Sequence, residues 1–282
     1  GNSAPWSTPF DITSVEDLKN FAYLVNVGNS DVRGRLTVDI VLNERVLDEN
    51  GNLRSDYKTA NLEQWTPMAS FKGDFYGNNH TISGLYINSS STYVGLFSTM
   101  SNATITDLGI IDSYVSGNDY VGSLVGSASR STITSCYNTG VVQGSSYYVG
   151  GLFGMVGGTI TNCYNTGNVS GSRNVIGGIA GCFGYYGGPA TVIGCYNTGN
   201  VTGTSTTSTN IGGIGGAAQS GTASFSKCYN TGTIIITQQP TDFAAPTIIQ
   251  HGKAIFDNAS YYLIMGLRKQ AAEDLAMLID LN

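Results

Sequence analysis

Charge is what this sequence has least of. Asp, Glu, Lys and Arg make up 11% of the 282 residues, less than half of the roughly 25% usual in soluble domains. From Tyr120 to Thr241 there is no Asp, Glu or His, and the only charged residues are Arg130, Arg173 and Lys227. General acid–base catalysis needs a carboxylate or imidazole within reach of the transferred proton, so this stretch has no candidate for it. A glycosidase carboxyl pair is excluded from the same stretch. With a net charge of -6 and scattered basic residues, the chain lacks the basic cluster that nucleic acid requires. No run of 18 apolar residues is present, so no direct membrane span is expected. The chain opens on Gly1 rather than Met, which suggests a processed N-terminus from which a targeting signal has been removed. Five cysteines form neither a zinc pattern nor a C-x-x-C pair, and no metal or cofactor is called for.

Gly (38 residues) and Tyr (17 residues) are abundant instead, and they recur in register. The string Cys-Tyr-Asn-Thr-Gly begins at Cys136, Cys163, Cys195 and Cys228. Three residues before each Cys stands Ile133, Ile160, Val192 or Phe225, and six after it Val142, Val169, Val201 or Ile234. The same apolar-x-x-apolar spacing at Ile105 to Leu108 and Ile82 to Leu85 extends the column backwards by two coils, with Cys taking the place of Leu and pointing inward. A second column runs through the Val/Ile-Gly-containing segments at Val94, Val121, Val149, Ile176 and Ile211, short strands with glycine where backbones pack closely or turn.

Repeats of this length with strand-type segments indicate a solenoid, a propeller or an array. The period is short for a propeller blade and fits one three-sided coil. The expected fold is therefore all-β: a right-handed parallel β-helix of six to seven coils with short helical caps. Stacking converts repeated residues into ladders. Asn138, Asn165, Asn197 and Asn230 are expected to hydrogen-bond from coil to coil, and the cysteines to remain free thiols because parallel side chains give poor disulfide geometry. The insertions Gly184 to Ala190 and Gly203 to Asn210 are expected to be surface loops.

An open stack exposes strand edges and needs caps. Thr13 and Glu16 fit a capping box for a helix over Ser14 to Asn26, with Leu18, Phe21, Ala22 and Val25 on its apolar face. Arg35 to Leu42 resembles a strand, Asn43 to Leu62 a polar excursion, and Ala271 to Leu281 a second amphipathic helix after the strand-like Tyr261 to Ile264. The resulting division is a cap over 1–70, repeats over 71–237 and a cap over 238–282.

The columns Val149-Gly-Gly-Leu-Phe-Gly and Cys163-Tyr-Asn-Thr-Gly-Asn-Val-Ser-Gly171 resemble the GLUG repeat of bacterial cell-surface proteins. The preceding Ile12-Thr-Ser-Val-Glu-Asp-Leu-Lys-Asn-Phe-Ala, Asp39-Ile, Trp65-Thr-Pro and Phe75-Tyr-Gly-Asn-Asn-His-Thr-Ile-Ser-Gly-Leu-Tyr-Ile87 are similar to the usual lead into such arrays. The resemblance covers about Ile12 to Thr237, with a weaker echo at Tyr261 to Asn282. It implies a secreted or surface-anchored protein with an adhesive or spacer role. Such repeats also accompany immunoglobulin-A-cleaving metallopeptidases, whose His-Glu-x-x-His helix is absent from this sequence, where the only histidines are His80 and His251.

Candidate chemistry is sparse. Asp107, Asp112 and Asp119 cluster before the repeats, and Asp107 and Asp112 could share a face with Asp74, either as a catalytic or calcium site or as solvated surface. His80 fits a turn, and His251 has less context. Gly-Gly-Ile-Gly-Gly from Gly212 superficially matches a phosphate loop but recurs as a packing element and lacks the following Lys-Ser/Thr. Tyr137, Tyr164, Tyr196 and Tyr229 follow the inward cysteines and should point outward as a row. That row can bind sugar rings or stabilise the stack. Tyr185 and Tyr186, in an inserted loop, are further ligand-binding candidates. Three functions remain open: a non-enzymatic extracellular or cell-surface module that presents the solenoid to a glycan or a protein, a structural stalk, and a carbohydrate-active enzyme working from the acidic first coils. A monomer is expected.

Overall fold

The computed structural model describes residues 8–55, 61–184, 188–205, 208, 210–218 and 223–236. The chain forms a parallel β-solenoid of about seven turns. One side is a 16-stranded sheet that continues from Phe10–Ile12 through Gly34–Leu36, Asp74–Ser83, Thr104–Ile111, Val125–Thr134 and Phe153–Thr161 to the strands above. A second side is a six-stranded sheet from Tyr86–Asn88 to Ile234–Ile236, and a third is a three-stranded sheet of Val149–Gly150, Ile176–Gly177 and Ile211–Gly212. Parallel pairing thus reaches down to the first described strand. The predicted helix over Ala271 to Leu281, the strand at Tyr261 and His251 lie outside the described residues.

The repeat register is the one expected from the cysteine strings. Ile105 pairs with Ile133, Ile133 with Ile160, Ile160 with Val192 and Val192 with Phe225. Val142, Val169, Val201 and Ile234 form an equivalent column on the second side. One part of that expectation is corrected. Ile82 pairs with Ile110, and the residue below Ile105 is Phe75. An irregularity between Tyr76 and His80 separates the two halves of that strand, with Asn78 and Asn79 both at positive φ. The Ile82 to Leu85 spacing therefore matches the repeat without sharing its register.

Two columns of left-handed residues turn the chain at its corners. Asp107, Ser135, Asn162, Gly194 and Lys227, each just before Leu108 or a repeat cysteine, have φ between 53° and 65°. Tyr93, Tyr120, Tyr148 and Val175, each just before the Val or Ile of the second motif, have φ between 53° and 70°. These values are unfavourable for a residue with a Cβ, and most so for β-branched Val175. They recur because each coil must turn here while the next apolar side chain still points inward.

Inside the corner, Cys136, Cys163 and Cys195 are fully buried and unpaired. Their thiols do what Leu108 cannot: Cys136 Sγ donates to Thr134 O at 3.3 Å and Cys163 Sγ to Thr161 O at 3.4 Å. A small apolar group with a weak donor thus fits a site where a backbone carbonyl, such as Thr161 O, which already accepts from Ser135 N, has a second lone pair within reach. Burial raises the Cys163 pKa, and the neighbouring Cys163 together with burial raises that of Cys195. Both therefore stay protonated and inert.

Beside the cysteines runs the asparagine ladder. Asn138 Nδ2 donates to Asn165 Oδ1, Asn165 Nδ2 to Asn197 Oδ1, and Asn197 Nδ2 to Asn230 Oδ1, each at 2.8 Å. Each amide also closes its own turn onto Gly140, Gly167, Gly199 or Gly232. A Cβ on Gly151 or Gly178 would lie 2.5 or 2.3 Å from the Asn165 or Asn197 side chain. The Gly-Gly of one motif is therefore the space needed by the Asn of the other.

The lower end is closed by the helix Val15–Asn26, whose buried residues are Leu18, Phe21, Ala22 and Val25. Its cap lies one residue later than expected. Ser14 is the N-cap, Asp17 N donates to Ser14 Oγ at 3.1 Å, and the Asp17 carboxylate accepts from Thr13 and Ser14. Asp17 serves here in place of Glu16 because it stands three residues after the N-cap Ser14. Phe21 packs edge-on against Phe71 and Phe75 with centroids 6.1 and 5.5 Å apart, plugging the lower end of the solenoid. The expected strand over Arg35 to Leu42 is two pieces, Gly34–Leu36 and Ile40–Val41, with the Asp39 carboxylate accepting from Thr81 N between them at 2.8 Å.

Candidate functional site

The tyrosines of the Cys-Tyr-Asn strings form one row on short outward-facing strands. Tyr137 pairs with Tyr164, Tyr164 with Tyr196 and Tyr196 with Tyr229. Their ring centroids are 4.8, 4.8 and 5.1 Å apart, and adjacent planes differ by 1–3°. Exposure is partial until the last ring, Tyr229, which is 53% exposed. Tyr137 rests over Gly109, where a Cβ would come 2.4 Å from the ring. Ring faces are therefore covered by neighbouring rings or by Gly109. The row offers edges and phenol groups to solvent, and among the described residues only Tyr229 has a face without a ring above it. Burial and the flanking Tyr137 and Tyr196 raise the pKa of Tyr164, and burial with Tyr229 raises that of Tyr196.

A second aromatic column, Tyr93, Tyr120 and Tyr148, stacks at 4.6 and 4.8 Å on the corner before the Val-Gly motif. The cysteine strings did not point to it. Its signal is the repeated Tyr-Val-Gly at Tyr93, Tyr120 and Tyr148, visible once that motif is aligned from one residue earlier. Tyr120 and Tyr148 pack against a buried outer cluster of Met155, Val175 and Cys182. At the edge of the column, Arg173 lies 5.8 Å from the ring centre of Tyr147, a cation–π contact. Tyr185 and Tyr186 lie outside the described residues.

The acidic residues of the first coils do not meet. The Asp112 carboxylate accepts from Val46 N and Leu47 N at 3.1 and 2.9 Å, pinning the polar excursion to the stack. Asp74 pairs with Arg33 at 2.9 Å and accepts from the Tyr76 hydroxyl. Asp119 accepts from Tyr147 N at 2.7 Å, and Asp107 occupies a left-handed corner. Asp74 and Asp112, expected to share a face with Asp107, are thus held by different partners, the side chains of Arg33 and Tyr76 for one and the Val46 and Leu47 backbone for the other. His80 sits beside Asp39, with Nδ1 3.3 Å from the carboxylate. Among the described residues no group of three His, Cys, Asp or Glu side chains is placed to hold a metal ion. The Gly-Gly-Ile-Gly-Gly segment spans the corner from the third sheet, which holds Gly212, to the long sheet, which holds Gly215 and Gly216. Among the described residues no helix is long and apolar enough to cross a membrane.

No protein-family model matches the chain. It is 31% identical over 163 residues to halomucin of Haloquadratum walsbyi, a match that covers 55% of this chain and 2% of that protein's length. The fold is similar to the crystal structure of a candidate immunoglobulin A1 protease from Bacteroides ovatus. The TM-score is 0.55 at 18% identity, covering 85% of this chain and 80% of the other. At that identity the likeness establishes the shared β-solenoid architecture.

Proposed function

We propose that this chain is a non-enzymatic binding module of a secreted or cell-surface protein, which presents the side of its solenoid to a glycan or protein partner. The observation that carries this reading is the outward tyrosine row, held in register over four coils of a body without acids. Phenol groups repeated at the strand spacing can donate and accept hydrogen bonds toward a ligand that itself repeats. The terminal Tyr229 adds a ring face that can lie against a sugar ring or an apolar side chain. The commitment of Asp74, Asp112 and Asp119 to structural bonds supports a binding role over a catalytic one. The GLUG-like motifs and the partial likeness to halomucin support an extracellular setting.

The test is a glycan and surface-protein binding array probed with the whole chain, followed by Tyr229→Ala and the double variant Tyr185→Ala/Tyr186→Ala. A specific partner, whose binding is weakened by either variant at unchanged melting temperature, is the expected result. No partner on the array would leave the stalk as the better reading. Glycan cleavage abolished by Asp107→Asn or Asp112→Asn would replace binding with catalysis.

A further inference from the structure

The outer face of the long sheet carries a groove separate from the tyrosine row. Its volume is about 350 Å³, and it is lined by Ser70, Lys72, Thr99, Met100, Ser101, Ser127, Ser129 and Met155. Its rungs follow the coils: Thr99 pairs with Ser127 and Ser127 with Met155, while Ser101 pairs with Ser129. No carboxylate lines it. The Thr99 hydroxyl accepts from Ser70 N at 3.1 Å, whereas the hydroxyls of Ser101, Ser127 and Ser129 bond to no other described residue. Exposed Lys72 forms no ion pair with a described residue. At its upper end the groove stops against Met155, which is buried against Tyr120 and Tyr148.

We infer that this groove binds a short acidic oligosaccharide along the axis of the stack. Three features select that class. Successive rungs rise by about 4.8 Å, comparable to the length of one pyranose unit, so the groove spans about three. Hydroxyl rows on a sheet surface can exchange hydrogen bonds with the hydroxyls of a sugar ring. Lys72 stands at the lower end as a cation without a carboxylate partner among the described residues, which favours a uronate or sialate over a neutral sugar. The inference does not depend on the tyrosine row.

The test titrates the whole chain with a galacturonic acid trimer, sialyllactose, a galactose trimer and triglutamate, followed by calorimetry and by amide shifts. At least one acidic sugar should bind at least about tenfold tighter than both the neutral trimer and the acidic peptide. Lys72→Gln, an exposed change without folding risk, should weaken that binding by about tenfold, and raised salt should weaken it too. Ser127→Val/Ser129→Val should also weaken it, with circular dichroism unchanged. Tyr229→Ala should leave it intact, which separates this groove from the row proposed above. Saturable binding of neither acidic sugar, equal binding of triglutamate or the galactose trimer, or unchanged affinity in Lys72→Gln would overturn the inference.

Discussion

The lower coils and the repeat body reach the same architecture by different chemistry. Below Asp119, apart from the tyrosine column that starts at Tyr93, the stack is fixed by individual contacts that do not repeat: the Phe21, Phe71 and Phe75 plug, Arg33 on Asp74, Asp112 on the backbone of Val46 and Leu47, and Trp65 Nε1 donating to Leu96 O. Above Val125 the same few contacts recur in every coil, as Asn, Cys and Tyr ladders. A terminal region must cover an exposed end and so meets a different environment at each level. An interior coil sees only copies of itself, and one satisfied arrangement serves all of them. Charge is useful for the first task. In the second it would place like charges directly above one another, which accounts for the acid-free body.

If the body rests on its ladders, breaking one rung should have the largest effect. Asn165→Ala removes the donor to Gly167 O and to Asn197 Oδ1, leaving two buried acceptors unpaired. A loss of about 2–5 kcal/mol is expected in denaturant unfolding. Asn138→Ala should cost about as much, since Asn138 has Ile110 and no ladder asparagine below it, but its Oδ1 accepts from Gly140 N at 3.1 Å instead. A loss below about 1 kcal/mol in both variants would mean that the ladder bonds do not set stability.

Next in size is the cysteine column. Cys163→Ala should cost about 1–2 kcal/mol, from the lost sulfur volume and the thiol contact to Thr161 O. In the native protein an alkylating reagent at mild alkaline pH should reach Cys228, the partly exposed member, before Cys136, Cys163 or Cys195, as measured by mass spectrometry of timed samples. Rapid modification of Cys163 in the folded chain would show that the body opens more readily than its packing implies.

The division between the two regions was only partly legible in the sequence. The upper coils could be read residue by residue, because Cys-Tyr-Asn-Thr-Gly repeats wherever the environment repeats. In the lower coils the spacing of Ile82 and Leu85 imitated the repeat, and the irregularity between Tyr76 and His80 hid the true partner, Phe75. The left-handed corners were also hidden. Asp107, Ser135, Asn162, Gly194 and Lys227 share a backbone conformation but no chemistry. Of the candidate site, the Tyr137 row was legible from strand alternation. The covering of its faces was not, since that depends on how closely adjacent coils align. The groove beside Lys72 leaves no signal in the sequence, because its serines come from different coils and form no local motif.

The smallest expected effect separates the two regions by pH. In the lower coils the Asp39 carboxyl is held below its usual range, chiefly by the hydrogen bond from Thr81 N, and Asp17 is held low by Thr13 and Ser14. A depressed carboxylate contributes stability that is present above its unfolded pKa, about 3.9 for Asp, and is lost as pH falls through the folded value. In the body, Tyr164 and Tyr196 are raised by burial and by stacked neighbours. Their contribution is complete below the ordinary tyrosine value of about 10 and is lost as pH rises through the folded values. Acid should therefore loosen the helix cap and first coils, and alkali the tyrosine strands. Amide exchange at pH 3.5 and at pH 10.5, each compared with pH 7 after correction for intrinsic rates, should show Leu18 to Val25 losing protection in acid and Tyr164 to Tyr196 losing it in alkali. Loss of protection in the same segment at both extremes would mean that the stack opens as one unit, with its two chemistries energetically indistinguishable.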